Sequence, residues 1–152
     1  MRAKTLVSMR SAALRAMLAA ALAVLAACSS APAEQRLRET IDAMELAAIE
    51  RRPGDFMESV ASDFIGDGSL DRAAMHNLLR AQLMRNQQIG VTRGPLDIQL
   101  QGNRATVKFK MVVTGGAGGL LPERAQGYDI TSGWRDEDGE WRLFLVEWTE
   151  AL

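Results

Sequence analysis

Proton-transfer chemistry needs a carboxylate or imidazole held near a hydrogen-bond donor, and this 152-residue chain offers few candidates. His76 is the one histidine and Tyr128 the one tyrosine; Asp63, Asp129 and Glu147 are acids set among apolar residues. Tyr128 and Asp129 are neighbours in an alternating segment, so they point to opposite faces of a strand and cannot line one cavity together. With Tyr128 inward, Ile130, Ser132 and Trp134 share its side and Asp129 meets water. Glu147 shares a face with Leu143 and Leu145 near a strand end. The candidate cavity-lining residues are Tyr128, Trp134, Phe64 and Glu147, with no catalytic residue assigned. Trp134, Trp141 and Trp148 have two readings, wall of a ligand cavity or ordinary core, and core carries more weight. By helical periodicity His76 lies beside Ser69 and Arg80 on a polar face. No metal site can be built around it, and no cofactor is expected. There is neither a G-x-S-x-G elbow nor a phosphate-binding G-x-G-x-x-G, since Gly115–Gly119 lacks that spacing and no helix follows it.

A different chemistry is written at the front. Residues 1–15 carry four basic residues and no acid, and AMLAAALAVLAA, Ala16–Ala27, is uncharged. A basic start, a short apolar run and small residues at its end describe a secretory signal. Twelve helical residues span only about 18 Å, short of the roughly 30 Å hydrocarbon core. Ala31-Pro32-Ala33 fits ordinary signal cleavage and would release a soluble protein. Leu25-Ala26-Ala27-Cys28 resembles the bacterial lipobox, and it holds the only cysteine of the chain directly after the apolar run. That resemblance implies a diacylglyceryl group on Cys28, cleavage before it and acylation of the new amino terminus. Two or more acyl chains anchor stably where one does not. Ser29, in place of an Asp that would resemble an inner-membrane retention signal, points to an outer-membrane protein facing the periplasm. The expected organisation is a signal peptide at 1–27, a lipidated Cys and tether at 28–33, and one domain at 34–152.

Removing residues 1–27, which hold four of the 18 basic residues, leaves 125 residues with 14 Lys and Arg against 19 Asp and Glu, a net charge near −5. No basic stripe remains, which excludes a nucleic-acid footprint. The membrane is expected as a partner through the lipid alone. With Cys28 lipidated, no internal disulfide can form, and packing must hold the fold.

The elements that would position these residues follow from periodicity. Glu34 to about Arg52 reads as a helix with Leu37, Ile41, Met44 and Ala48 on one stripe; Leu46 and Ile49 off it suggest cover on a second side. Pro53-Gly54 ends it, Asp55 caps a short helix to about Ser62, and Phe64-Ile65 is briefly extended. After the turn Gly66-Asp67-Gly68, Ser69 caps a third helix, about Leu70 to Asn86. Leu70, Ala74, Leu78 and Ala81 form one apolar edge of it, and Met75, Leu79 and Leu83 the other. Alternation then marks strands at Leu96–Leu100, Ala105–Val113, about Gln126–Arg135 and Glu140–Glu150, with the loop GGAGGLLPER in between and a hairpin turn at Asp136-Glu137-Asp138-Gly139.

Helices first and antiparallel strands afterwards give an α+β fold with the helices on one face of the sheet. This order, with ERRPGDF (Glu50–Phe56), SLDRAAMHNLL and GWRDEDGEWRL (Gly133–Leu143), resembles the nuclear transport factor 2-like (SnoaL-like, cystatin-like) superfamily. The resemblance implies a cone-shaped curved antiparallel sheet with the N-terminal helices packed on its concave face. The superfamily holds isomerases, dehydratases, binding modules and assembly domains, so fold alone does not select a function. In its isomerase branch an Asp base and a Tyr donor project into the cone. The leading expectation is a non-catalytic binding module for a small apolar ligand or an envelope protein. A small isomerase or dehydratase using one cavity carboxylate and a homodimeric assembly domain are the alternatives.

Overall fold

The computed structural model describes residues 31–116 and 124–151. The chain divides into two units, Met1–Pro32 and Ala33–Leu152, and the second carries every element below. The expected signal peptide, Cys28 and most of the glycine-rich loop lie outside the described residues. No described helix is long and apolar enough to cross a membrane.

Helix α1, Ala33–Ile49, buries Leu37, Ile41, Met44 and Ala47, one stripe of a 3.6-residue period. Leu46 and Ile49 remain exposed, so the expected cover on a second side is absent. The helix stops before Pro53 because Arg51 takes a left-handed φ of 62°. There Arg52 N–H donates to the Ala47 carbonyl and Arg51 N–H to that of Ala48, the paired bonds of a Schellman ending. A non-glycine at this position is strained. The Arg51 guanidinium reaches the carbonyls of Leu83, Asn86 and Gln87 at the far end of another helix, which holds it there.

Helix α2, Pro53–Glu58, begins on a proline whose missing N–H costs nothing in the first turn. Asp55 lies inside that turn and pairs with Arg52 instead of capping. The helix is shorter than expected because Val60 opens strand β1, Val60–Gly66. β1 pairs antiparallel with β2, Leu70–Asp71. The cap of helix α3, Arg72–Arg85, is Asp71 in place of Ser69: its Oδ1 accepts from Ala74 N–H at 2.7 Å. Only Leu83 of this helix is fully buried, and Leu78 faces solvent.

Strands β3, Gln88–Arg93, β4, Asp97–Gln101, β5, Arg104–Gly116, β6, Arg124–Glu137, and β7, Glu140–Ala151, complete a sheet ordered β2-β1-β7-β6-β5-β3, with β4 also on β5. β5, β6 and β7 are consecutive antiparallel neighbours. β1 joins β7 in parallel, a pairing that sequence alternation did not announce. The sheet is curved and unclosed, with α1 on its concave face.

Register is broken once. Gly133 faces Leu145 and Trp134 faces Leu143, so Phe144 is an extra residue on β7. This bulge switches the strand's parity. Trp141 and Leu143 are buried before it, and Val146 after it. The expected division into Trp141, Leu143 and Leu145 on one face and Phe144, Val146 and Trp148 on the other is therefore replaced. Gly133 makes room for the bulge, because a Cβ there would lie 3.0 Å from Cζ of Phe144 and 3.2 Å from Cβ of Leu145. The Phe144 ring is flanked by the guanidinium groups of Arg104 and Arg135, 5.5 and 5.6 Å from its centroid.

Candidate functional site

Cross-strand partners in a sheet point to the same side, so the register defines rows along the concave face. Nearest the β6–β7 turn is Asp136–Trp141; then come Ala105–Trp134–Leu143 and Val107–Ser132–Val146, both rows buried. Next comes Phe109–Ile130–Trp148, in which only Ile130 is fully buried. The following row is Arg93–Met111–Tyr128–Glu150, with Met111 and Tyr128 half-buried and Glu150 exposed. Burial thus fades along one face of the same strands. The filled end carries the core, and the far end of the concave face, the hollow end, keeps apolar side chains only partly buried.

The polar groups at that end are of two kinds. Arg93 donates to Glu45 Oε2 at 2.8 Å and to Asp42, fastening β3 to α1 and occupying both carboxylates. By contrast, the Tyr128 hydroxyl and the Trp148 indole N–H have no hydrogen-bond partner among the described residues. They lie on adjacent strands in neighbouring inward rows, among partly buried apolar side chains. From α3, Met75 packs against the same core.

Each residue singled out from sequence has a definite place. Phe64 is 2% exposed and Trp134 3%, and both belong to the buried core cluster. Trp134 Nε1–H donates to Ser132 Oγ at 2.9 Å, and Ser132 Oγ–H donates to the Val107 carbonyl at 3.2 Å, which satisfies the buried polar atoms. Trp141 is also core, its Nε1–H donating to the Ala33 carbonyl at 2.9 Å. Trp148 is the tryptophan left half-exposed on the inner face. Glu147 falls in the outer row Lys108–Thr131–Glu147 and is exposed, because the bulge moved it off the concave face. Tyr128 does face inward with Ile130, Ser132 and Trp134, while Asp129 faces out and pairs with Lys110 at 2.6 Å.

Asp63 is exposed, and hydrogen bonds from Arg135 hold its carboxyl below the ordinary carboxylate range. That is the wrong direction for a general base working near neutrality. His76 is half-buried on α3, less open than a polar helix face implies. Among the described residues no cluster of His, Cys, Asp and Glu is arranged to hold a metal ion. A separate shallow groove of about 630 Å³ runs between α1 and β7, lined by Arg36, Glu39, Glu58, Ser59, Trp141 and Arg142 among others. Its cations are engaged: Arg36 with Asp136 and the Gly139 carbonyl, and Arg142 with Glu140 and the Glu58 carbonyl.

Sequence reasoning missed Arg93, Asp42, Glu45 and Glu150. β3 is a half-exposed edge strand containing Gly90, with little apolar alternation to reveal it. Glu150 becomes inward only through the Phe144 bulge.

A curved, unclosed sheet around a long helix is the fold of nuclear transport factor 2-like, or cystatin-like, proteins. Known structures bear this out. A putative scytalone dehydratase from Novosphingobium aromaticivorans superposes with a TM-score of 0.69 at 11% identity, over 78% of this chain and 84% of that one. A nuclear transport factor 2-like protein of unknown function from Pseudomonas putida gives 0.66 at 15% identity, over 77% and 85%. Bd1075 of Bdellovibrio bacteriovorus gives 0.68 at 11% identity; the match covers 77% of this chain and 41% of the longer Bd1075 chain. No family model matches the sequence, and no curated protein does.

Proposed function

We propose that this chain is an envelope lipoprotein, anchored through acylated Cys28 to the outer membrane and facing the periplasm, whose domain binds a small, largely apolar molecule without transforming it. The observation that carries the binding reading is the hollow end of the concave face, with Phe109, Met111, Tyr128 and Trp148 only partly buried and two donors without a partner among the described residues. Sites of this kind combine apolar walls with a few polar groups that fix orientation. The test uses an environment-sensitive apolar dye, anilinonaphthalene sulfonate, with the purified native protein. Saturable fluorescence enhancement, abolished by Trp148→Ala with the fold intact by circular dichroism, supports the site. Enhancement unchanged by Trp148→Ala and by Tyr128→Phe overturns it. The anchor is tested separately with Cys28→Ser, which should leave the membrane fraction; a variant that stays with the parent overturns the lipid assignment.

A catalytic reading draws on one observation, that Tyr128 shares a row with the Arg93 clamp on Glu45 and Asp42. Two structures of like fold carry dehydratase descriptions. Turnover lost in Glu45→Gln with dye binding retained would establish that reading. A homodimer draws on Ile65 and Val112, exposed on the outer face of the sheet, and light scattering of the protein without its signal decides it.

A further inference from the structure

The hollow end and the attachment point lie at opposite ends of the domain. Chain enters the fold at Ala33, and three contacts fix that point to the β6–β7 turn. Trp141 Nε1–H donates to the Ala33 carbonyl at 2.9 Å, and Arg36 donates to the Gly139 carbonyl at 3.2 Å and to Asp136 Oδ2 at 2.6 Å. From Trp141 to Glu150, level with Tyr128, is nine residues of one strand, about 30 Å at the usual rise. α1 gives a second measure. From Ala33 beside the β6–β7 turn to Asp42 and Glu45, the acids of the Arg93 clamp beside the hollow, it rises about 14–18 Å. Five residues, Cys28 to Pro32, separate the acylated sulfur from Ala33 and reach at most about 17 Å.

We infer that the binding hollow opens away from the anchoring membrane, so that its ligand is exchanged with the aqueous compartment or a soluble carrier and is not drawn from the bilayer that holds the protein. This rests on the lipid-anchored reading above. The short tether keeps the β6–β7 turn near the headgroups, and the mouth stands one strand length farther out. Among the described residues the cations of the tethered end are mostly engaged, Arg104 over the Phe144 ring and the others with acids. Arg38, Arg135 and Arg142 are each paired with an acid, Glu34, Glu137 and Glu140, and the turn adds Asp138. Polybasic segments are what such surfaces attract.

The experiment uses the native acylated protein in phosphatidylethanolamine–phosphatidylglycerol vesicles that carry a headgroup energy acceptor. The sulfur of Cys28 is then a thioether, so a single introduced thiol takes a maleimide donor. Glu140→Cys and Thr149→Cys place donors at the two ends of β7, both exposed and outside the hollow. Transfer should be several-fold stronger from position 140 than from position 149 at equal acceptor density. Equal transfer, or stronger transfer from 149, means that the domain lies flat or points its mouth at the bilayer, and overturns the inference with the anchor intact. Protein that fails to float with vesicles overturns the anchored reading itself, a result distinct from either transfer pattern.

Discussion

Whether Trp134 is core or cavity wall can be decided through its neighbour. Ser132, 3% exposed, is the acceptor of the Trp134 indole N–H among the described residues, and Ser132→Ala removes it while leaving the ring in place. In a dry interior the orphaned N–H carries its full desolvation cost, about 1–3 kcal/mol. The Val107 carbonyl loses a donor as well but faces a ladder neighbour, so the lower half of that range is a floor. For a domain of this size a loss of about 2 kcal/mol lowers the melting temperature by roughly 5–10 °C. Urea unfolding followed by far-ultraviolet circular dichroism measures it without depending on tryptophan emission. A second arm isolates the bond. Trp134→Phe removes the donor and some packing, and the double variant should be more stable than the sum of the two single losses by about 1–2 kcal/mol. If Trp134 lined a wet cavity, water would replace the serine. Ser132→Ala would then cost less than about 0.5 kcal/mol and the two substitutions would simply add. Either result refutes the core assignment and returns Trp134 to the ligand site.

Other expectations test the devices that shape the fold. At Arg51, Ala keeps the left-handed strain and loses the carbonyl bonds, whereas Gly loses the bonds but relieves the strain, so Arg51→Gly should exceed Arg51→Ala in urea stability by about 1 kcal/mol. Gly133→Val drives a side chain into the Phe144 ring and should cost about 1–3 kcal/mol by the same assay, with the near-ultraviolet spectrum of the ring environment altered. Asp63 has its carboxyl depressed below its ordinary value of 3.8 by the Arg135 hydrogen bonds, so it stabilises the fold in full above that value and ceases to as pH falls through the lowered one. Wild type should therefore exceed Asp63→Asn in stability at neutral pH, and the gap should close on acidification below about pH 4; a gap that is constant with pH refutes the pairing.

The parts of this fold legible in sequence are those whose order is local. α1 showed itself by one stripe, Leu37–Ile41–Met44, and the β6–β7 hairpin by its acidic turn with Gly139 at φ 94°. What was hidden depends on partners far along the chain. Val60 and Phe64 are spaced four apart, which suits the inner side of a helix as well as a β1 strand with an irregular register. Only the parallel pairing with β7, some eighty residues on, selects the strand. β3 has no buried residue of its own and exists because β5 offers it an edge ending in Gly115 and Gly116. Ser69 and Asp71 are both good caps, and β2 takes up Leu70 and Asp71 before the helix can start at the earlier one.

The candidate site was legible up to a single residue. Alternation placed Tyr128 inward and Asp129 outward, because β6 runs without interruption from Arg124 past Gly133 in its pairing with β5. The same counting failed on β7, where Phe144 adds one residue and every position beyond it changes face. That one insertion takes Glu147 out of the hollow, brings Trp148 and Glu150 to it, and turns Leu145 outward. Its cause is steric and lies on the neighbouring strand, in the missing Cβ of Gly133. The consequence is a division of labour along three strands. Toward the turn, Phe64, Trp134 and Trp141 fill the interior and pin the start of α1 without a disulfide. Beyond the Val107–Ser132–Val146 row the same strands carry half-exposed apolar residues and two donors without a partner among the described residues. Substitutions there cost little of the burial that holds the fold, so that end can vary while the domain keeps its stability.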